Sequence, residues 1–148
     1  MSDKKIINIA LVIDKLIAGD FEVNKNKLNG QLNKIKKLVN EDISNQSKAC
    51  LHYFMGNIYL EYYYKKTDKK INKKNTIKSY LKAIEFNLDD GCKVKLYTNI
   101  ANILFSEHRY YEAVIYYEKA LKVDGTFLLP FAKQISVFEE IWKNIGEE

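Results

Sequence analysis

Between Lys95 and Asp124 the chain reads KLYTNIANILFSEHRYYEAVIYYEKALKVD, and its apolar positions form two helical series joined by one short polar turn. Tyr97, Ile100, Ala101 and Leu104 follow three-and-four spacing, and so do Tyr110, Ala113, Tyr117 and Ala120. That period places each set on one helical face. The small residues Ala101, Ala113 and Ala120 let two such helices approach closely, while the large ones fill the space beside them. A pair built this way leaves apolar surface that it cannot bury alone. Neighbouring helices must therefore stack on it.

The pattern resembles the tetratricopeptide repeat W-x₂-L-G-x₂-Y…A-x₃-F, with conservative substitutions. A second copy lies upstream, where His52, Met55, Gly56 and Tyr59 match the first series and Thr76, Tyr80 and Ala83 match the second. Gly56 and Ala83 stand 27 positions apart against 19 for Ala101 and Ala120, so extra residues sit around KKTDKKINKK. They are expected to lengthen the third helix and to form a lysine-rich hairpin loop over residues 65–74, since insertions in repeats map to loops.

The rest of the chain fits the same scheme. Residues 3–18 read as a helix with Ile6, Ile9, Ile13 and Leu16 on one stripe; Gly19-Asp20 ends it. A second helix follows over about 24–39, carrying Leu28, Leu32, Ile35 and Val39, with Asn24 and Gln31 where small residues usually stand. This pair reads as a degenerate terminal repeat that caps the stack. Around Pro130 and beyond it, the positions Leu128, Phe131, Ile135, Phe138, Trp142 and Ile145 alternate three and four, which suits a last capping helix. The same spacing also suits a dimer seam. The expectation is thus an all-α chain forming one domain over 1–148. Its parts are a helix pair at 3–42, a repeat at 47–88, a complete repeat at 94–125 and a capping helix at 128–146. The resemblance implies a right-handed superhelix of about seven antiparallel helices, with the first helix of each pair lining a concave wall.

Bulk properties exclude several classes. With 148 residues, 47% hydrophobic and 29% charged, the chain can build a sizeable core and is not disordered in composition. No apolar run approaches the roughly 18 residues of a spanning helix. In MSDKKIINIALVIDKL, Asp14 and Lys15 interrupt the apolar stretch, which favours an amphipathic first helix over a signal peptide. Cys50 and Cys92 stand at no metal or redox spacing, and two thiols without a leader fit a cytoplasmic protein. The net charge of +5 comes almost wholly from lysine, Arg109 being the only arginine. Nucleic-acid and phosphate readers lean on the planar arginine fork.

The resemblance places a partner-binding groove on a second stripe of the first helices. In the complete repeat this stripe is Lys95, Asn99, Asn102 and Ser106; upstream it is Cys50, Phe54, Asn57 and Glu61, bordered by Tyr53. In the last helix it holds Lys133. Co-chaperone members of the family grip a C-terminal carboxylate with lysine, arginine and asparagine. Asn57, Asn99 and Lys133 match three of those positions, whereas Tyr53 and Leu129 stand where the family has lysines. A carboxylate favours several converging charged donors, so this match is thin. The implied partner is a protein or peptide, with an acidic or C-terminal carboxylate group as one form.

Two other readings stay open. Lys69, Lys70, Lys73 and Lys74 are candidate phosphate contacts, which would suit a nucleic-acid-binding or regulatory protein. A self-associating subunit, a homodimer through the last helix, is the other. Enzyme chemistry finds little support. His52 occupies a packing position, and His108 sits in a turn between Glu107 and Arg109. Neither has a nucleophile at a recognisable spacing, and no glycine-rich phosphate loop occurs. No cofactor, metal or membrane contact is expected.

Overall fold

A computed structural model describes residues 2–86 and 88–123, and every regular element among them is an α-helix. The six helices are α1 (Asp3–Ala18), α2 (Phe21–Leu38), α3 (Asn45–Tyr64), α4 (Lys69–Glu85), α5 (Asp90–Ser106) and α6 (Tyr110–Val123). The chain divides into two compact units, one running to Leu88 and one starting at Asp89. The expected last helix at 128–146, and with it Lys133 and the dimer seam, lies outside the described residues.

Capping chemistry sets where most helices start. Ser2, Asp20, Ser44 and Asp89 each accept a hydrogen bond from a backbone N–H in the first turn of α1, α2, α3 and α5. Such a cap satisfies one of the orphan donors at a helix N-terminus. The Asp20 cap explains why α2 begins at Phe21, three residues before the apolar period suggests. The period also points to Val39 as the last buried residue of α2. In the structure Leu38 fills that place, and Val39 is the half-buried C-cap. Asn24 has a further use. Its Nδ2 donates to the Leu16 carbonyl at 3.0 Å, satisfying an acceptor in the last turn of α1 and pinning the turn through Gly19.

In the first unit α3 is the central helix, packed against α1, α2 and α4. Ile9, Ile13, Leu28, Leu32 and Ile35 meet Leu51, Phe54, Ile58 and Tyr62 in one buried cluster. On the other side of α3, Gly56 faces the fully buried ring of Tyr80, and a Cβ added at Gly56 would overlap Cε1 and Cδ1 of that ring. Thr76 and Ala83 complete the α3–α4 contact at 0% exposure. The second unit repeats this with α5 and α6: Ala101 and Ala113 are 0% exposed, Ala120 is 6%, and Tyr117 is 5%.

Both hairpins turn the same way. At the end of α3 the Thr67 N–H bonds the Tyr62 carbonyl and the Lys66 N–H that of Tyr63; at the end of α5, Arg109 bonds Leu104 and His108 bonds Phe105. This is the Schellman arrangement. Its left-handed residue is Lys66 (φ 59°) in one and His108 (φ 62°) in the other, where glycine is the usual choice.

The shared turn locates the inserted residues and corrects the expected lysine loop. Lys66 follows Gly56 by ten positions and His108 follows Ala101 by seven, so three extra residues lengthen α3. Of the other five, one lengthens the connection and four extend α4 at its start. Residues 69–74 are therefore the first turns of α4, and the connection is only Lys65–Asp68. Asn72, 6% exposed, donates from Nδ2 to the Thr67 carbonyl and ties the lengthened helix to the turn. The longer α3 brings Tyr62 onto α2, where its hydroxyl donates to Asn29 Oδ1 and its ring meets Phe21 edge-on at 5.9 Å.

Two glycine substitutions test this packing. Gly56→Ala should lower stability by about 1–3 kcal/mol, because the ring of Tyr80 must move out of a filled space. Gly30→Ala should raise it by about 0.5–1 kcal/mol, since nothing lies within 4 Å of the added Cβ and alanine favours the helix. Urea denaturation followed by circular dichroism measures both, and opposite signs are the expected outcome.

Candidate partner-binding site

The stripe expected to face a partner on α5 is partly open. Leu96, Ile100, Ala101, Ile103 and Leu104 are buried, whereas Lys95 is exposed and Asn99 and Asn102 are half-buried. Ser106, at the end of the stripe, is exposed and donates to the Ile103 carbonyl at 2.8 Å. On α3 the equivalent stripe is more occupied. Phe54 is only 8% exposed and belongs to the core shared with α1 and α2, so its side chain goes into packing rather than onto an open face. Tyr53 is half-buried, with its ring 5.9 Å from Phe54 and 6.2 Å from Tyr80. Lys133 lies outside the described residues.

Asn57 and Asn102 hold equivalent places, one position after Gly56 and Ala101. Both make the same bond. The Tyr80 hydroxyl donates to Asn57 Oδ1 at 2.7 Å, and the Tyr117 hydroxyl donates to Asn102 Oδ1. Each hairpin is thus clasped by a tyrosine from its second helix and an asparagine from its first. A buried tyrosine needs such a partner for its hydroxyl. The asparagines carry a second group, the amide NH₂, which has no partner among the described residues. Spacing alone hints at the clasp, because both asparagines and both tyrosines recur when the two repeats are aligned. Which atoms bond depends on how closely the helices approach.

The candidate phosphate contacts all sit on α4. Lys69, Lys70 and Lys74 are exposed and Lys73 is half-buried; the Lys69 ammonium lies 5.1 Å from the Tyr63 ring centroid. The two histidines occupy separate settings. His52 stacks on Phe86 with 5.6 Å between ring centroids, and burial first, then the nearby Lys82 charge, hold its pKa below the usual histidine value. Lys48 adds to that lowering and Glu85 opposes it. His108 is exposed at the α5–α6 turn, with Nδ1 2.6 Å from the Tyr110 hydroxyl. Cys50 and Cys92 are half-buried thiols. Among the described residues no cluster of three metal-ligating side chains occurs, and no helix is long and apolar enough to cross a membrane.

The clasps predict a stability loss of about 1 kcal/mol each for Tyr80→Phe and Tyr117→Phe, the usual net contribution of one hydrogen bond. Tyr64→Phe, at a position 58% exposed, should change little. Burial also pushes the Tyr62 and Tyr117 hydroxyls up to about 12. In the unfolded chain tyrosine ionises near 10. The unfolded state therefore loses its protons first, and stability present below pH 10 should fall as pH rises from about 10 to 12. Unfolding curves across that range, beside phenolate absorbance in the folded protein, measure both.

Comparison with known proteins agrees with this geometry in one stretch. Residues 94–127 match the tetratricopeptide repeat family model. No curated protein and no solved structure matches the chain significantly. The matched stretch takes in the hairpin of α5 and α6, whose buried alanines and Tyr117 carry the pattern. The chain contains a tetratricopeptide repeat, and its α3–α4 pair repeats the same small-residue and tyrosine arrangement.

Proposed function

We propose that the protein is a non-catalytic protein-binding module, an adaptor or assembly subunit that holds a peptide or partner helix on the polar stripes of its first helices. The tetratricopeptide repeat supports the general reading, since such repeats serve protein–protein interaction. The observation that carries the finer one is the pair of clasped asparagines. The tyrosine bond fixes each amide by its oxygen, so the NH₂ of Asn57 and of Asn102 is held in one orientation at low entropic cost. A donor held that way suits the backbone carbonyls of an extended peptide. Lys95, exposed one turn before Asn99, supplies a charge for an acidic group. Tyr53 adds apolar contact on α3. In this reading Phe54 supports the site from within the core.

The test uses whichever protein the full chain captures from its native cell. Combining Lys95→Glu with Asn99→Ala should weaken that capture at least about tenfold, the effect of losing one ionic and one neutral contact, with helicity unchanged. Full affinity in the double variant would remove the α5 stripe as the binding surface. Asn102→Ala serves as a second probe with a known side effect, because it also opens the Tyr117 clasp.

A further inference from the structure

The outer side of α4 carries a charge pattern that neither the repeat packing nor the proposed stripes require. Lys70, Lys74, Lys78 and Lys82 recur every fourth residue, one about every 6 Å along the helix, and all four are exposed. Like charges at this spacing destabilise a helix. The start of α4 adds to that cost. It has no acidic residue in its first turn and no side-chain cap, and its N-cap Asp68 is left-handed at φ 40°. Cations at a helix N-terminus oppose the helix dipole. Among the described residues neither Lys74 nor Lys78 has an acidic partner, while Lys82 lies 3.6 Å from Glu85.

Beside this stripe, between α3 and α4, is a cleft of ≈ 200 Å³. His52, Met55 and Tyr59 line it from α3, and Lys78, Lys82 and two neutral polar residues line it from α4. Its lining exposes more apolar than polar surface. Lys36 of α2 reaches over the Tyr59 ring at 5.9 Å, and Lys48 and Lys82 flank the Phe86 ring at 5.6 and 5.3 Å. The cleft thus exposes mostly apolar surface, carries two lysines of its own and has further cations on neighbouring rings. It is smaller than the roughly 300 Å³ at which cofactor and drug-like pockets begin, and is sized for a single side chain.

We propose that α4 and this cleft form a docking site for an acidic peptide, whose carboxylates pair with Lys74, Lys78 and Lys82 while one apolar side chain enters the cleft over Met55 and Tyr59. Charge complementarity selects the acidic partner. The mostly apolar exposed surface of the cleft selects a peptide over a nucleic acid. Single-stranded nucleic acid needs open aromatic faces for stacking, whereas Tyr59 is 8% exposed and every cation on the stripe is a lysine. The site uses the outer face of α4 and is independent of the α3 and α5 stripes.

Fluorescence anisotropy with the full chain tests it. The probes are a fluorescein-labelled peptide of six glutamates around a central leucine, the same peptide with glutamate for leucine, and a labelled thymidine heptanucleotide. The leucine peptide should bind most tightly. Lys78→Glu with Lys82→Glu should weaken it about tenfold or more, and Lys78→Gln with Lys82→Gln should weaken it less. Lys4→Glu with Lys15→Glu on α1, which removes the same charge elsewhere, should leave it within about twofold. The His52 ring resonances should shift as the leucine peptide is added. Equal affinity for the all-glutamate peptide, equal or tighter binding of the oligonucleotide, an equal loss from the α1 reversal, or no binding at all would overturn the proposal. An unmoved His52 would remove the cleft from it.

Discussion

A tyrosine from the second helix, buried and hydrogen-bonded to an asparagine of the first, holds each repeat hairpin together. Tyr80 covers Gly56, where the first helix has no side chain to keep the second away, and in the other hairpin Ala101 and Tyr117 are both buried at the equivalent places. Close approach has two consequences. It buries the ring, which contributes most of the apolar stabilisation at that contact. It also carries the phenol across to the first helix, where an asparagine one residue beyond the small position accepts its hydrogen bond. Packing and polar satisfaction are one arrangement here. A larger residue at position 56 would push the ring outward and move the hydroxyl away from Asn57.

The same contact explains how an insertion is tolerated. Extra residues in a hairpin can form a loop, but then the ends of both helices need new partners. Here they extend both helices past the last clasp and keep the Schellman turn unchanged in kind. The added turn of α3 then has somewhere to go, because Tyr62 reaches Asn29 and Phe21 on α2. Tyr62 also belongs to the core built with α1 and α2. The inserted length thus secures the atypical first helix pair, and α3 becomes apolar nearly all round its circumference, as a helix enclosed by neighbours must be. One cost is an α4 whose N-terminus projects lysines without a cap.

Much of this was legible from residue spacing, and the failures have physical causes. The small–large alternation at Ala101, Ala113 and Ala120 is a local pattern, so the buried faces of α5 and α6 could be read directly. Phe54 could not be placed that way. Its angular position assigns it to the stripe away from α4, and only the presence of α1 and α2 makes that side a core. The start of α4 was obscured for a different reason. KKTDKKINKK has no apolar period, its turn uses Lys66 where glycine would have signalled a helix end, and its helical state is set by Asn72 and the α3 contact. The α2 boundary shows the reverse case, where an Asp20 cap outweighs the first periodic leucine. As for the asparagines, their polarity suggested contact with a partner, and the structure gives each a first duty inside the hairpin.

That first duty bears on how binding and stability are divided in this chain. An asparagine used only for packing could be replaced by any acceptor of similar reach, and one used only for a partner could be lost without harm to the fold. Asn57 and Asn102 have one polar group committed to the hairpin and another without a described partner, so the same residue is able to serve both roles. The lysines of α4 differ. They are exposed on α4, their mutual repulsion disfavours the helix, and among the described residues neither Lys74 nor Lys78 has an acidic partner. A stability argument alone would replace them. Their place beside the cleft suits an anionic partner, as the fold alone does not require them.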